Sequence, residues 1–149
     1  MYPTLLITHS AIRYFVLIFL IIVIVKSFLG LSNKRPFTKL DNQLGLTLFS
    51  LTHTQLLVGL ILYFVSPFVQ FSGASMKDNA LRYWTVEHIA IMLIAVGLIT
   101  AARTTSKKMT DDSAKHRRMF VFNMIALVLI LAGIGVSQRG LFTLPGISR

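Results

Sequence analysis

The sequence predicts an all-α integral membrane protein whose single domain is a four-helix bundle with up-down-up-down topology. Apolar residues make up 54% of the 149 residues and charged residues only 13%, against roughly a quarter charged in ordinary globular proteins. The apolar residues are grouped in long blocks that short connections separate. A helix needs about 20 mostly apolar residues to cross the hydrocarbon core of a bilayer. Four blocks meet that length.

The predicted spans cover residues 4–31, 41–66, 81–102 and 118–136. The first has an unbroken apolar centre from Tyr14 to Val25, and the second ends before Pro67. The blocks are too uniformly apolar for the strands of a membrane barrel, in which apolar and polar residues alternate. Because the connections are short, consecutive helices should be antiparallel neighbours, with the first and third helices diagonal.

The distribution of positive charge predicts the orientation. Ten of the fifteen Lys and Arg residues lie in or beside two connections, at 26–41 and 103–118. The positive-inside rule places both connections in the cytoplasm, so both termini and the loop at 67–80 should face the non-cytoplasmic side. The net charge of +10 is therefore a topology signal and does not indicate nucleic-acid binding.

Polar residues inside the spans are the candidates for function, because they are costly in lipid and usually have a partner or a role. Three predicted helices each carry one histidine: His9, His53 and His88. With a rise of ~1.5 Å per residue, His9 lies roughly 15 Å and His88 roughly 9 Å outward of the midplane, and His53 lies close to it. Two imidazoles facing each other across a bundle can hold both axial positions of a haem iron. His9 and His88, on diagonal helices, are the first candidate pair.

The neighbours of this pair suggest further roles. Arg13 lies one turn after His9 and could bind a haem propionate with two parallel hydrogen bonds. Glu87 is offset from His88 by about 100° around the helix, so it is a better ion-pair partner for Arg13 or Arg82 than a ligand. Three residues on the face of His88 could surround the macrocycle: Trp84, Met92 and Ala95.

His53 has several alternative roles. It lies in a polar patch with Thr52 and Gln55, where it could replace His9 as the partner of His88. It could also bind a quinone carbonyl or bridge two helices by hydrogen bonds.

The remaining polar residues suggest structural roles. We expect Asn123 to make an interhelical hydrogen bond. His116 should be solvated in a basic connection. A copper or zinc site is disfavoured, because the histidines and Glu87 are spread in depth and no cysteine is present.

Three stretches, HSAIRYF (9–15), THTQLLVGLILYF (52–64) and LRYWTVEHIAIMLIA (81–95), resemble small bacterial four-helix membrane proteins described as cytochrome b-like. The resemblance covers nearly the whole chain and implies a haem b bundle of the bacterial inner membrane. It also implies electron exchange with a quinol or with subunits of a membrane redox complex. The positions that match the polar pattern of the family are His9, Arg13, His53, Gln55, Arg82, Glu87 and His88.

The leading hypothesis for function is therefore an electron-transfer subunit that holds haem b near the outer face. A second hypothesis is a structural or interaction subunit of a larger membrane complex without a cofactor. A third is a small membrane enzyme acting on haem, porphyrin or isoprenoid substrates, with Glu87 and His88 as proton-transfer groups.

Overall fold

The computed structural model describes residues 1–136, and these residues form helices and no strands. The elements are α1 (Tyr2–Ser32), α2 (Lys39–Val65), α3 (Gly73–Lys77), α4 (Asn79–Arg82), α5 (His88–Ser106) and α6 (Asp112–Val136). A π-helical turn, Tyr83–Glu87, joins α4 to α5 in one continuous helix. Four helices in the described range are long and apolar enough to cross a membrane. The predicted all-α four-helix membrane bundle is confirmed.

The helices pack in a ring. α1 contacts α2 and α6, and α5 contacts the same two helices, so α1 and α5 are diagonal. The contact between α2 and α5 is the sparsest of the four. The core contains Leu20, Leu48, Ala95, Ile99 and Ala126, each at most 2% exposed. Large apolar side chains on the outer surface of the bundle are positioned to contact the bilayer.

The two ends of the bundle differ. The connections at 33–38 and 107–111, together with the helix ends beside them, carry ten of the fifteen Lys and Arg residues (within 26–41 and 103–118), and we call their end the basic end. The opposite end holds residue 1 and the loop at 66–78, and we call it the cleft end. α6 begins six residues before the predicted position 118, because Asp111 in the basic connection accepts a hydrogen bond from the backbone N–H of Ala114 and starts the helix.

His116, at the basic end, is buried, so the prediction that it is solvated is wrong. It is 1% exposed, and its Nε2 donates a hydrogen bond to the carbonyl of Arg35 over 3.2 Å. The ring packs on Phe37 and lies directly against Gly30, where a Cβ would approach both ring nitrogens to 2.6 Å. The first connection folds over the histidine, and Gly30 provides the space for it.

Two other polar residues are buried in the basic half. Asn123 is fully buried, and its side-chain amide donates to the carbonyl of Met119. This bond lies within one helix, whereas the sequence predicted a bond between two helices. Arg103 is 8% exposed and donates to both oxygens of Asn42. Within residues 1–136 no carboxylate lies within salt-bridge distance of Arg103.

Candidate functional site

A cleft lies at the cleft end, lined by α1, α2, α5 and α6. The cleft has a cavity volume of about 180 Å³ and is partly open. Most of its lining is apolar, from residues such as Leu17, Leu56, Ala95 and Ile130. Polar residues interrupt that lining, and the candidates from the sequence among them are His9, Arg13, Thr52, Gln55 and His88.

His9 and His88 meet in this cleft. Their ring centres are 6.3 Å apart and the ring planes are inclined by 76°. Two histidine nitrogens bound at about 2 Å on opposite sides of one metal ion, each about 1 Å in front of its ring centre, would place the ring centres about 6 Å apart. The observed separation equals that value to within a few tenths of an ångström, and it also lies in the range of an ordinary edge-to-face contact between two rings.

Gly59 on α2 makes room for His9. A Cβ at this position would lie 2.9 Å from Cε1 of the His9 ring, which is closer than van der Waals contact. The histidine therefore occupies a recess in α2 that any side chain on residue 59 would fill.

The π-helical turn determines the environment of His88. It lets the N–H of His88 bond to the carbonyl of Tyr83, five residues back, and it brings the Tyr83 hydroxyl to 3.4 Å from Nδ1 of His88. The same hydroxyl donates to the carbonyl of Gly133 over 2.6 Å. Because that bond uses the only hydroxyl hydrogen, Tyr83 can only accept from Nδ1–H. In neutral His88 the lone pair is then on Nε2, as in metal-bound histidines whose other nitrogen is held by a second residue.

The ring of His88 is also enclosed by aromatic side chains. The Trp84 ring lies 5.1 Å from it and the Tyr83 ring 5.8 Å from it. Met92 lines the cleft one turn further along α5, opposite Gly133. These contacts restrict the rotation of the imidazole ring.

α2 contributes an amide and a hydroxyl to the cleft. The side-chain nitrogen of Gln55 donates to the carbonyl of His9 over 2.8 Å, which ties α2 to α1. Oε1 of Gln55 and Oγ1 of Thr52 are buried and have no hydrogen-bond partner among the described residues. Both residues belong to the cleft lining.

The other candidate residues are divided between the cleft and its surroundings. Arg13 lines the cleft, where it donates to the hydroxyl of Tyr14 over 3.2 Å. Arg82 does not line it: its Nε lies 2.9 Å from Oε1 of Glu87 in a half-exposed ion pair. That pairing is one of the two that the sequence suggested for Glu87.

His53 also lies outside the cleft lining. Its Nδ1 bonds to the carbonyl of Phe49 over 2.8 Å, and its Nε2 lies 3.4 Å from the hydroxyl of Thr100 on α5. The histidine thus lies at the contact between α2 and α5, nearer to the middle of the bundle. The Thr100 hydroxyl gives its only hydrogen to the carbonyl of Val96, so this contact joins the two helices by packing and is not the hydrogen-bonded bridge that the sequence suggested.

The donor set favours a ligand that needs only two protein atoms. No group of three or more His, Cys, Asp or Glu residues able to hold a metal ion occurs in residues 1–136. A haem needs only two axial ligands, because the macrocycle supplies the equatorial nitrogens.

Sequence reasoning missed three features of the site. The π-helical turn and the recess at Gly59 were not predicted, and neither was the docking of the loop at the cleft end. In that loop the N–H of Gln70 donates to the hydroxyl of Thr85, and Tyr63 donates to the Thr85 carbonyl. The glycine at the depth of His9 is the one signal that the sequence offers.

Comparisons with family models, curated proteins and solved structures find no match to this chain.

Proposed function

We propose that the protein is a membrane-embedded electron-transfer subunit that binds one haem b between His9 and His88. The separation of the two imidazole rings, 6.3 Å across an apolar cleft, carries the proposal. A haem would supply reversible one-electron exchange. It would lie between the two rings, in the partly open cleft that α1, α2, α5 and α6 line.

The residues of the chain would have distinct tasks at such a site. His9 and His88 would ligate the iron, and Tyr83 would hold the tautomer of His88 and increase its basicity as a ligand. Arg13 would provide positive charge for a propionate. The apolar walls would exclude water, which together with the ligands sets the reduction potential.

The proposal includes location and orientation. We place the basic end in the cytoplasm of a bacterium and the cleft near the outer face of the inner membrane, because the Lys and Arg residues cluster in the two connections. Quinols or subunits of a membrane redox complex would then be the electron partners.

Glu87 supports the enzyme hypothesis poorly. Its carboxylate bonds to Arg82 and is not part of the cleft lining. Joint proton transfer by Glu87 and His88 at a substrate in the cleft would require that ion pair to break.

Visible spectroscopy tests the haem proposal. The protein is purified after expression with a haem supply, and spectra are recorded in the oxidised and reduced states. We expect a Soret band that shifts on reduction and that is lost or strongly altered in His9→Ala and His88→Ala. His53→Ala is the matched control, since His53 lies outside the cleft lining, and it should retain the parent spectrum.

Two results would contradict the proposal. A colourless parent protein that copurifies with other subunits would favour the structural hypothesis. A spectrum that depends on His53 and not on His9 would show that a different pair holds the iron.

A further inference from the structure

Arg118 is held across the contact between α5 and α6 at the basic end. Its Nη1 donates a hydrogen bond to Oγ1 of Thr105 over 3.1 Å, and its guanidinium carbon lies 4.8 Å from the ring centre of Phe122. The Thr105 hydroxyl gives its only hydrogen to the carbonyl of Ala101, so its oxygen is left to accept from Arg118. The guanidinium is thus positioned by a hydrogen bond to one helix and by an aromatic ring of the other.

The positive charge of Arg118 has no carboxylate partner in the part of the chain that the structure describes. The acidic residues closest to it in sequence are Asp111 and Asp112, and Asp111 accepts from the N–H of Ala114 at the start of α6. A guanidinium has five N–H donors in a planar fork, and the bond to Thr105 uses one of them. The fork matches the oxygens of a carboxylate or a phosphate.

The position of Arg118 along α6 places it at the boundary of the hydrocarbon core. It is the last charged residue before residues 119–136, which contain no charge. At ~1.5 Å per residue this uncharged stretch is about 27 Å long, close to the hydrocarbon thickness of about 30 Å. Arg118 therefore lies at the depth where lipid headgroups meet their acyl chains, and the phosphate groups at that depth are those of phospholipids.

An exposed apolar surface continues from Arg118 toward the middle of the bundle. On α6, Ile125 lies two turns after Arg118 and is 46% exposed. On α5, Leu98 and Ile94 share the face of Thr105, and Ile94 is 57% exposed. A ligand that combines an acidic head with an apolar tail matches this arrangement, whereas a free anion would leave the apolar surface uncovered.

The surrounding charge favours a lipid with a net negative charge. Residues 103–118 contain six Lys and Arg residues and two Asp residues. Lys108 is exposed, and its N–H bonds to the carbonyl of Thr105, which places it one turn beyond that residue. Clusters of basic residues beside a membrane span attract anionic headgroups. A zwitterionic lipid would bring its own ammonium group next to these cations.

From these contacts we propose that the groove between α5 and α6 at the basic end binds one anionic phospholipid. The guanidinium of Arg118 holds the lipid phosphate, and an acyl chain lies along Ile125 and Ile94. None of the residues of this groove lines the cleft, so the site is separate from the histidine pair and its occupation does not require a haem. A lipid bound there contacts both helices and stabilises their packing.

Lipid titration of the purified protein in dodecyl maltoside tests the proposal. The probes are dioleoylphosphatidylglycerol, which is anionic, and dioleoylphosphatidylcholine, which has the same chains and a zwitterionic head. The thermal unfolding midpoint rises when a ligand binds the folded state, and native mass spectrometry counts the lipids that stay bound. We expect one phosphatidylglycerol molecule per chain, and a rise in the midpoint at lower concentrations than with phosphatidylcholine.

Three variants separate the proposed site from diffuse charge. Arg118→Gln should weaken phosphatidylglycerol binding by about tenfold or more, because it removes charge-assisted hydrogen bonds to the phosphate. Arg117→Gln is the matched control: it removes the same charge one residue away, from an exposed side chain about 100° around the helix, and should change binding by less than about twofold. Thr105→Val keeps every charge but removes the acceptor that positions Arg118, and should weaken binding by about threefold.

Equal losses in Arg118→Gln and Arg117→Gln would mean attraction by the whole basic end and would overturn the proposal, as would equal affinity for the two lipids. Glycerol 3-phosphate carries the phosphate without chains, so stabilisation by it equal to that by phosphatidylglycerol would indicate a site for a soluble anion instead. If Arg118→Gln does not fold, Arg118→Lys replaces it, since it retains the charge and lacks the planar fork. Unchanged binding in both Arg118→Lys and Thr105→Val would then contradict the proposal.

Discussion

Replacing Gly30 by alanine should destabilise the bundle through His116. In a helix interior, alanine is favoured over glycine by about 1 kcal/mol. At Gly30, however, the new Cβ would lie 2.6 Å from both ring nitrogens of His116. The ring atom Cε1 would lie closer still, so contact at the normal distance requires the ring to move by about 1 Å or more, against Phe37 and the carbonyl of Arg35. Overpacking of this kind costs about 1–3 kcal/mol, so the net effect should be a loss of up to about 2 kcal/mol.

Gly97→Ala is the matched control. Gly97 lies within α5, and a Cβ there meets no atom within 4 Å. This variant should keep the favourable contribution of about 1 kcal/mol from helix propensity. Helix propensity contributes equally to both substitutions and cancels when the two variants are compared. The remaining difference in their free energies of unfolding is then the overpacking term, about 1–3 kcal/mol.

Thermal or denaturant unfolding in one detergent measures this difference. In the background of His116→Ala the clash disappears, so Gly30→Ala should become neutral or stabilising there. A double-mutant cycle gives the coupling between the two positions. Equal stability of Gly30→Ala and Gly97→Ala, or a coupling near zero, would refute the close packing of Gly30 against His116.

Three further predictions concern the site, the basic end and the orientation. Tyr83→Phe should lower the free energy of unfolding by about 1–2 kcal/mol, since it removes a buried donor to the Gly133 carbonyl. It should also shift the reduction potential of a bound haem in a redox titration. An unchanged potential would argue against control of the His88 tautomer by Tyr83. Arg103→Met should change the free energy of unfolding by no more than about 1 kcal/mol, because the cost of burying the charge offsets its hydrogen bonds. Asn42→Leu should destabilise the protein more, because it removes an acceptor while the charge of Arg103 stays buried. In spheroplasts, an impermeant thiol reagent should label Ala74→Cys but not Lys107→Cys, and the opposite pattern would invert the proposed topology.

The fold could be predicted because it depends on few quantities. Apolar blocks of about 20 residues and short connections leave little choice beyond antiparallel spanning helices. The predicted helix bounds were less accurate where a polar side chain caps the start of a helix. Asp111 starts α6 within the basic connection, and the capping box between Thr38 and Asp41 starts α2 at Lys39. Hydropathy alone does not locate such caps.

Axial depth along a helix could also be predicted, whereas rotation about its axis could not. Counting residues placed His9 and His88 at neighbouring depths on diagonal helices, and their rings lie 6.3 Å apart. In a membrane helix most positions on every side are apolar, so the pattern does not show which side faces the core. His53 and Thr52 are adjacent in sequence, yet only Thr52 lines the cleft. The π-helical turn adds to the difficulty, since it changes which residue lies beneath His88.

The positions of glycines would have helped to predict how each helix is rotated about its axis. Small residues in membrane helices usually allow two helices to approach closely, but three glycines here make room for a polar side chain of another helix. Gly30 faces His116, Gly45 faces Nη1 of Arg103, and Gly59 faces His9. Each glycine lies at a depth similar to that of its partner, so the pairs could have been matched by counting residues from the helix ends.

The three glycine pairs differ in where their polar partners lie. His116 faces Gly30 and Arg103 faces Gly45. Both side chains bond to nearby oxygens at the basic end, and neither lines the cleft. The ring of His9, which faces Gly59, lies in the cleft beside a second histidine. A glycine opposite a histidine therefore predicts where the ring packs, and it does not by itself predict ligand binding. Unsatisfied buried atoms do not separate the two cases either, because Nδ1 of His116 has no hydrogen-bond partner within residues 1–136. What distinguishes His9 is its position in the cleft, facing His88.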